Sequence, residues 1–189
     1  MINIKEKFNT NKITLLGILC ALSLISFLIE SILPPLFLPG AKLGLSNIFT
    51  LMTLIIYSPI EATILLLVRT ILGSFIIGNL SSLMYSMPAG LSSILASSLM
   101  LYFIHPKVSV VSISILSAVI HNIVQVIMYC IVTQSTVLFS YMPYLASIGV
   151  LSGVIIGILV YTITHKIPMS VFNKLYSKNK SNILKEEKN

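Results

Sequence analysis

Side chains that could bind a charged ligand occur at very few positions in this otherwise apolar sequence. Between Ile13 and His165 the only formal charges are those of Glu30, Lys42, Glu61, Arg69 and Lys107. An arginine inside an apolar segment is costly, and its planar guanidinium can hold an anion through two parallel hydrogen bonds. Arg69 is therefore predicted to bind an anionic group, with Lys42 as a second positive charge. The alternative is an internal ion pair of Arg69 with Glu30 or Glu61.

Uncharged hydrogen-bonding groups form a second pattern. Ser117, His121 and Gln125 recur four residues apart, so they share one face of a helix, and Asn122 lies beside that face. A satisfied core histidine is the alternative interpretation of His121. Polar groups retained in apolar helices mark substrate pathways, which favours a ligand-facing role. The predicted substrate-binding residues are Lys42, Asn47, Arg69, Asn79, His121, Asn122 and Gln125, with Glu30 orienting a basic group.

Several chemistries are excluded by residue type. The sequence has no aspartate, so an aspartate-rich Mg²⁺-diphosphate site cannot be built. It also lacks a phosphate-binding loop with Gly-Lys-Ser/Thr, a Cys/His metal cluster and a nucleophile elbow. We therefore expect no catalytic residues, metal or cofactor, and no ATP hydrolysis by this chain itself.

The composition predicts an integral membrane protein. Mean hydropathy is +1.00 and charged residues make up 9%, against roughly 25% in a soluble domain. Although the net charge is +7, the lysines flank apolar segments, which indicates anchoring at an anionic membrane surface rather than nucleic-acid binding.

Hydropathy and helix breakers predict an all-α bundle of six transmembrane helices. The first apolar run is too long for a signal peptide and is interpreted as a retained helix. The second is short, about 22 Å long at 1.5 Å per residue, and is either a short helix or continued by the connector before it. Joining the second and third segments is the rival count. The six segments are about Ile13–Leu33, Leu43–Tyr57, Ile60–Ile77, Ser82–Ile104, Val108–Thr133 and Pro143–His165.

The lysine distribution predicts the orientation. Six spans place Lys5, Lys7, Lys12, Lys107 and the six lysines from Lys166 to Lys188 on one side, and Lys42 on the other. The positive-inside rule makes the lysine-rich side cytoplasmic. The predicted organisation is a basic N-terminus (1–12), a membrane domain (13–166) and a basic tail (167–189), with both termini cytoplasmic and the domain in a bacterial cytoplasmic membrane.

Small residues predict where helices meet, because close packing drives helix association in lipid. Gly149, Gly153 and Gly157 lie four residues apart and are predicted to pack within the chain. Gly17 and Ala21 form a similar pair on the first helix, which is often peripheral in a small bundle. That pair is predicted to dock a partner subunit.

Three runs of residues resemble a known membrane family. They are Pro39-Gly-Ala-Lys-Leu-Gly-Leu-Ser-Asn-Ile48, then Arg69-Thr-Ile-Leu-Gly-Ser74 with Gly78-Asn79, and His121-Asn-Ile-Val-Gln125. Together they are similar to the Gx transporter family, also called heptaprenyl diphosphate synthase component I. The resemblance covers about residues 12–166.

That family is similar to the substrate-binding S components of energy-coupling factor (ECF) transporters, which are six-helix membrane proteins. The resemblance implies uptake of a small anionic metabolite or prenyl diphosphate, with a membrane coupling subunit and ATPase subunits as partners. It implies docking of the coupling subunit at Gly17 and Ala21. The alternative is a non-catalytic accessory subunit of heptaprenyl diphosphate synthase, in menaquinone side-chain synthesis, with the catalytic subunit as partner.

Overall fold

The computed structural model describes residues 10–32, 44–104 and 107–166. Every element in those ranges is a helix, and a short 3₁₀ helix, Val137–Tyr141, precedes the last one. The predicted basic tails lie almost wholly outside the described residues, as does the connector with Lys42. The helices are α1 Thr10–Ile32, α2 Leu45–Ile56, α3 Pro59–Ile77, α4 Ser81–Phe103, α5 Val110–Thr133 and α6 Met142–Lys166.

Local sequence explains several of the helix ends. Ser58 is extended and Pro59 occupies the first turn of α3, where its missing N–H costs nothing. This break separates α2 from α3, so the two segments do not form one continuous helix. At its other end α3 stops at Gly78, whose φ of 73° suits glycine. The Ser109 side chain accepts a hydrogen bond from the Ser112 N–H and caps α5.

Five of the described helices, all except α2, are long and apolar enough to cross a membrane. Their outward surfaces carry many large apolar side chains, such as Ile32 and Phe103, each 81% exposed. Arg69 and several serine and threonine side chains are buried, alongside a core of apolar side chains. An apolar outer surface suits a lipid surround, and the chain is a membrane protein of the predicted all-α class.

The helix α2 is only half a span long and is enclosed by the others. Its 12 residues extend about 18 Å, against a hydrocarbon core of about 30 Å. Its first turn meets the middle of two long helices, since Ser46 accepts a hydrogen bond from Ser23 on α1 and Asn47 accepts one from Arg69 on α3. Its last turn reaches the start of α1, because the Lys12 ammonium lies over the ring of Tyr57. The N-terminus of α2 therefore lies beside the second half of α1, between Ser23 and Glu30, and beside the middle of α3.

The helix directions follow from which residues meet. Lys12 contacts Glu61, and further along Ser23 contacts Arg69, so α1 and α3 run parallel. The chain therefore returns to the lysine-containing end between α1 and α3. The helices from α3 to α6 then alternate in direction, as the pairs Ser74–Ser82, Ser93–Ser117 and Asn122–Leu145 place each helix antiparallel to the one before.

Glycines permit the closest helix contacts. A Cβ on Gly153 would lie 2.6 Å from the Ile115 Cα, and one on Gly157 would lie 2.7 Å from the Val111 Cα. Gly149 is similarly close to α5. The prediction that these three glycines pack within the chain is confirmed.

Candidate functional site

The candidate site is built around Arg69, near the middle of α3. Its side chain is only 2% exposed. The Nη1 atom donates to Ser23 Oγ at 3.2 Å, and Nη2 donates to Asn47 Oδ1 at 3.4 Å. The buried Nε has no hydrogen-bond partner among the residues that the structure describes. Two long bonds to neutral groups leave much of the guanidinium's donor capacity unused.

Glu30, on the last turns of α1, covers the start of α2. Its Oε1 accepts a hydrogen bond from the Leu45 backbone N–H at 2.7 Å, and its Oε2 lies 3.4 Å from the Ser46 hydroxyl donor. A carboxylate is favourable there because the first N–H groups of a helix lack partners within the helix and carry partial positive charge. Gly44, with φ of 77°, lets the backbone turn into this helix start.

Arg69 and Glu30 are connected through α2 rather than by direct contact. Arg69 donates to Ser23, Ser23 donates to the Ser46 carbonyl oxygen, and the Ser46 side chain donates to Glu30. Within the described ranges no ion pair joins Arg69 to a carboxylate. Glu61, the other predicted partner of Arg69, instead pairs with Lys12 at 2.5 Å and accepts a hydrogen bond from Ser58.

These groups bring two positive features together at the first turn of α2, beside the Glu30 carboxylate. One is the Arg69 guanidinium and the other is the N-terminus of α2. In membrane transport proteins, the N-termini of broken helices point at anionic substrate groups because buried dipoles and charges are weakly screened. The arrangement is suited to binding an anion. It supplies no paired carboxylates for acid–base chemistry on that anion.

A polar cleft lies next to the site between α2, α4 and α5. Asn47 lines it together with Thr50, Ser93, Ser97 and Ser117, and three apolar side chains complete its wall. Its free volume of about 10 Å³ suffices for one water molecule. A larger ligand would therefore require helices to separate.

The side chains of the predicted site residues on α5 have different surroundings. Ser117 lines the cleft, whereas Asn122 donates to the Leu145 carbonyl oxygen at 2.9 Å and so binds α5 to α6. His121 is half-buried and Gln125 is buried, one and two turns beyond Ser117. The structure thus does not gather all four side chains around Arg69.

Two other predicted residues lie away from this group. Asn79 is exposed just after α3, where its side chain accepts a hydrogen bond from the Ser82 N–H at 3.1 Å. This places it nearly three helical turns, about 15 Å along the helix axis, beyond Arg69. Lys42 is outside the described residues. The structure brings together Glu30, Asn47 and Arg69 from the predicted set.

Sequence analysis missed the two serines that join these residues. Ser23 is fully buried in α1 and Ser46 is buried in the first turn of α2. A lone serine is common in apolar helices, so Ser23 gave no distinguishing signal. Ser46 directly precedes Asn47 in the run Pro39–Ile48, and this position could have identified it as a site residue.

The predicted docking pair lies on an open face of α1. Gly17 and Ala21 are both exposed, and a Cβ on Gly17 would meet no atom within 4 Å. Ile18 and Ile25 beside them are about half exposed. Neither small residue is used for packing within the described part of the chain.

Comparison with known proteins gives one family. The family model described as heptaprenyl diphosphate synthase component I matches residues 19–163, well over half of the chain. No curated protein and no solved structure matches. The matched stretch contains the whole network of Ser23, Glu30, Ser46, Asn47 and Arg69. The chain belongs to the heptaprenyl diphosphate synthase component I family.

Proposed function

We propose that this chain is a substrate-binding membrane subunit, similar to the S components of ECF transporters, for a small anionic metabolite or a prenyl diphosphate. The observation that carries this proposal is Arg69, a buried cation that has only neutral hydrogen-bond partners and an unpartnered Nε among the described residues. A bound anion would complete its coordination. The apolar side chains of the adjacent cleft, Leu51, Leu54 and Ile94, would contact the hydrocarbon part of an amphiphilic ligand once the helices separate.

The proposal includes six membrane crossings with both termini in the cytoplasm of the cell. The helix α2 would belong to the second crossing. Its support is the parallel arrangement of α1 and α3, which requires a crossing between them, and the lysine bias of the sequence. The membrane domain would then span residues 13–166, with basic cytoplasmic segments at 1–12 and 167–189.

Energy for uptake would come from partner chains. A membrane coupling subunit would dock on Gly17 and Ala21, whose exposed face allows close approach of another helix. ATPase subunits would bind that coupling subunit. This chain would provide the binding site, formed by Arg69 and Asn47 with Lys42, His121, Asn122, Gln125 and Asn79 contributing when the helices separate.

Ligand stabilisation in lipid nanodiscs tests the binding role. Inorganic diphosphate and farnesyl diphosphate should raise the melting temperature of the wild type, whereas farnesol, which lacks the anionic group, should not. Arg69→Gln should abolish the effect, because it removes the charge but keeps a polar side chain. Equal stabilisation of both proteins by diphosphate would refute a site at Arg69.

A second candidate is a non-catalytic accessory subunit of a heptaprenyl diphosphate synthase, which the family description favours. In that case the anion site would hold a prenyl diphosphate at the membrane for a catalytic partner. The chain is co-expressed with a prenyl synthase catalytic subunit and, separately, with an ECF coupling module. The partner that co-purifies with it distinguishes the two candidates.

In either case the isolated chain should not elongate prenyl chains with Mg²⁺, since it has no aspartate.

A further inference from the structure

The start of α2 already holds an anion that belongs to the protein. The Glu30 carboxylate accepts hydrogen bonds from the Leu45 N–H and the Ser46 hydroxyl, and it is only 8% exposed. An incoming ligand would need donors of the same kind at the same place. Two anions at one helix start in a weakly screened interior repel each other strongly.

Arg69 points to the same place without being neutralised by contact. Its guanidinium donates to Asn47 on the first turn of α2, yet its Nε is unpartnered within the described chain. Glu30 and Arg69 both contact the first turn of α2, although the two form no ion pair. Arg69 therefore retains positive charge and hydrogen-bond donors that Glu30, from its present position, does not contact.

Resting on the proposed anion-binding role, we propose that Glu30 is an internal substitute for the ligand's anionic group. It occupies the N-terminus of α2 in the empty protein and gives up the Leu45 and Ser46 donors when a phosphate or diphosphate group enters. The ligand anion then takes those donors together with Arg69. Because Glu30 lies on α1, its release frees one of the contacts that tie α1 to α2.

The substitution Glu30→Gln tests whether Glu30 competes with the ligand anion or helps to bind it. The glutamine carbonyl oxygen can still accept the Leu45 N–H, but it lacks the negative charge that opposes the ligand. Inorganic diphosphate should therefore bind the full-length variant in nanodiscs about tenfold more tightly than the wild type, the effect of one charge-assisted hydrogen bond. Calorimetric titration measures this affinity.

Glu61→Gln is the matched control. Glu61 is also a glutamate in a membrane helix, but it pairs with Lys12 at the opposite end of α2. Its replacement should leave diphosphate affinity unchanged, and an equal gain would mean a general charge effect and overturn the proposal. Arg69→Gln should abolish binding in every background.

The outcomes distinguish this inference from the proposed function. If Glu30→Gln binds diphosphate equally or more weakly while Arg69→Gln loses binding, Glu30 is not a competitor and the inference fails alone. If no Arg69-dependent binding occurs in any variant, both fail. Should Glu30→Gln not fold, Glu30→Asp replaces it, since its shorter side chain withdraws the carboxylate from Leu45. It should give a smaller gain in affinity, and no gain would contradict the proposal.

Discussion

Glu30 and Arg69 both contact the first turn of α2 and are linked through Ser46 and Ser23 rather than by an ion pair. Each charge is buried, and each is satisfied mainly by neutral groups. A directly paired arginine would have little capacity left for a ligand. Because Arg69 has only neutral hydrogen-bond partners among the described residues, its guanidinium keeps donors available.

This relationship predicts how the two residues contribute to stability. Arg69→Ala should lower the free energy of unfolding by roughly 1–3 kcal/mol, because Asn47 Oδ1 loses its donor and the Glu30 charge loses a nearby cation. The double variant Arg69→Ala with Glu30→Gln should recover part of that loss. Thermal unfolding in a mild detergent measures both. A double variant no more stable than Arg69→Ala would show that the charges are not coupled.

The close contact between α5 and α6 predicts that alanine substitutions of two glycines have very different effects on stability. Gly153→Ala should destabilise the protein by about 1–3 kcal/mol, since the new Cβ would lie 2.6 Å from the Ile115 Cα. Gly17→Ala is the control, because nothing lies within 4 Å of its Cβ position and alanine favours a helix. Comparable losses of melting temperature in both variants would contradict the packing described.

The sequence predicted the helices well because apolar length and Pro/Gly breaks are local signals. It could not show that α2 begins beside Ser23 and Arg69, since that depends on which helices surround it. Nor could it show that Glu61 pairs with Lys12, because this requires knowing that α1 and α3 run parallel. The high cost of burying Arg69 was readable from its position alone, but the partners Ser23 and Asn47 follow from the packing.

The proposed topology makes a prediction for the two chain ends. Reporter domains fused before Lys12 and after Lys166 should both be active on the cytoplasmic side, since six crossings return the chain to the side on which it began. Alkaline phosphatase, active outside the cytoplasm, and green fluorescent protein, fluorescent inside it, provide the two readouts. Opposite locations of the two fusions would mean an odd number of crossings.

The open face of α1 makes a prediction for partner binding. Gly17→Leu and Ala21→Leu should reduce co-purification of the coupling subunit while leaving the melting temperature unchanged, because both positions are exposed. Val68→Leu, a change on the outer face of α3, should leave partner binding intact. Loss of folding in the α1 variants would instead assign the pair to packing within the chain.

The most direct test of anion binding is to identify what the purified protein carries. Native mass spectrometry of protein released gently from its host membrane should show the wild type with an anionic small molecule bound. Lys107→Gln, which changes an exposed cation between α4 and α5, should retain that molecule. Arg69→Gln should lack it, since the guanidinium is the proposed anchor. Equal retention of the same anion by Arg69→Gln would contradict a binding site at Arg69.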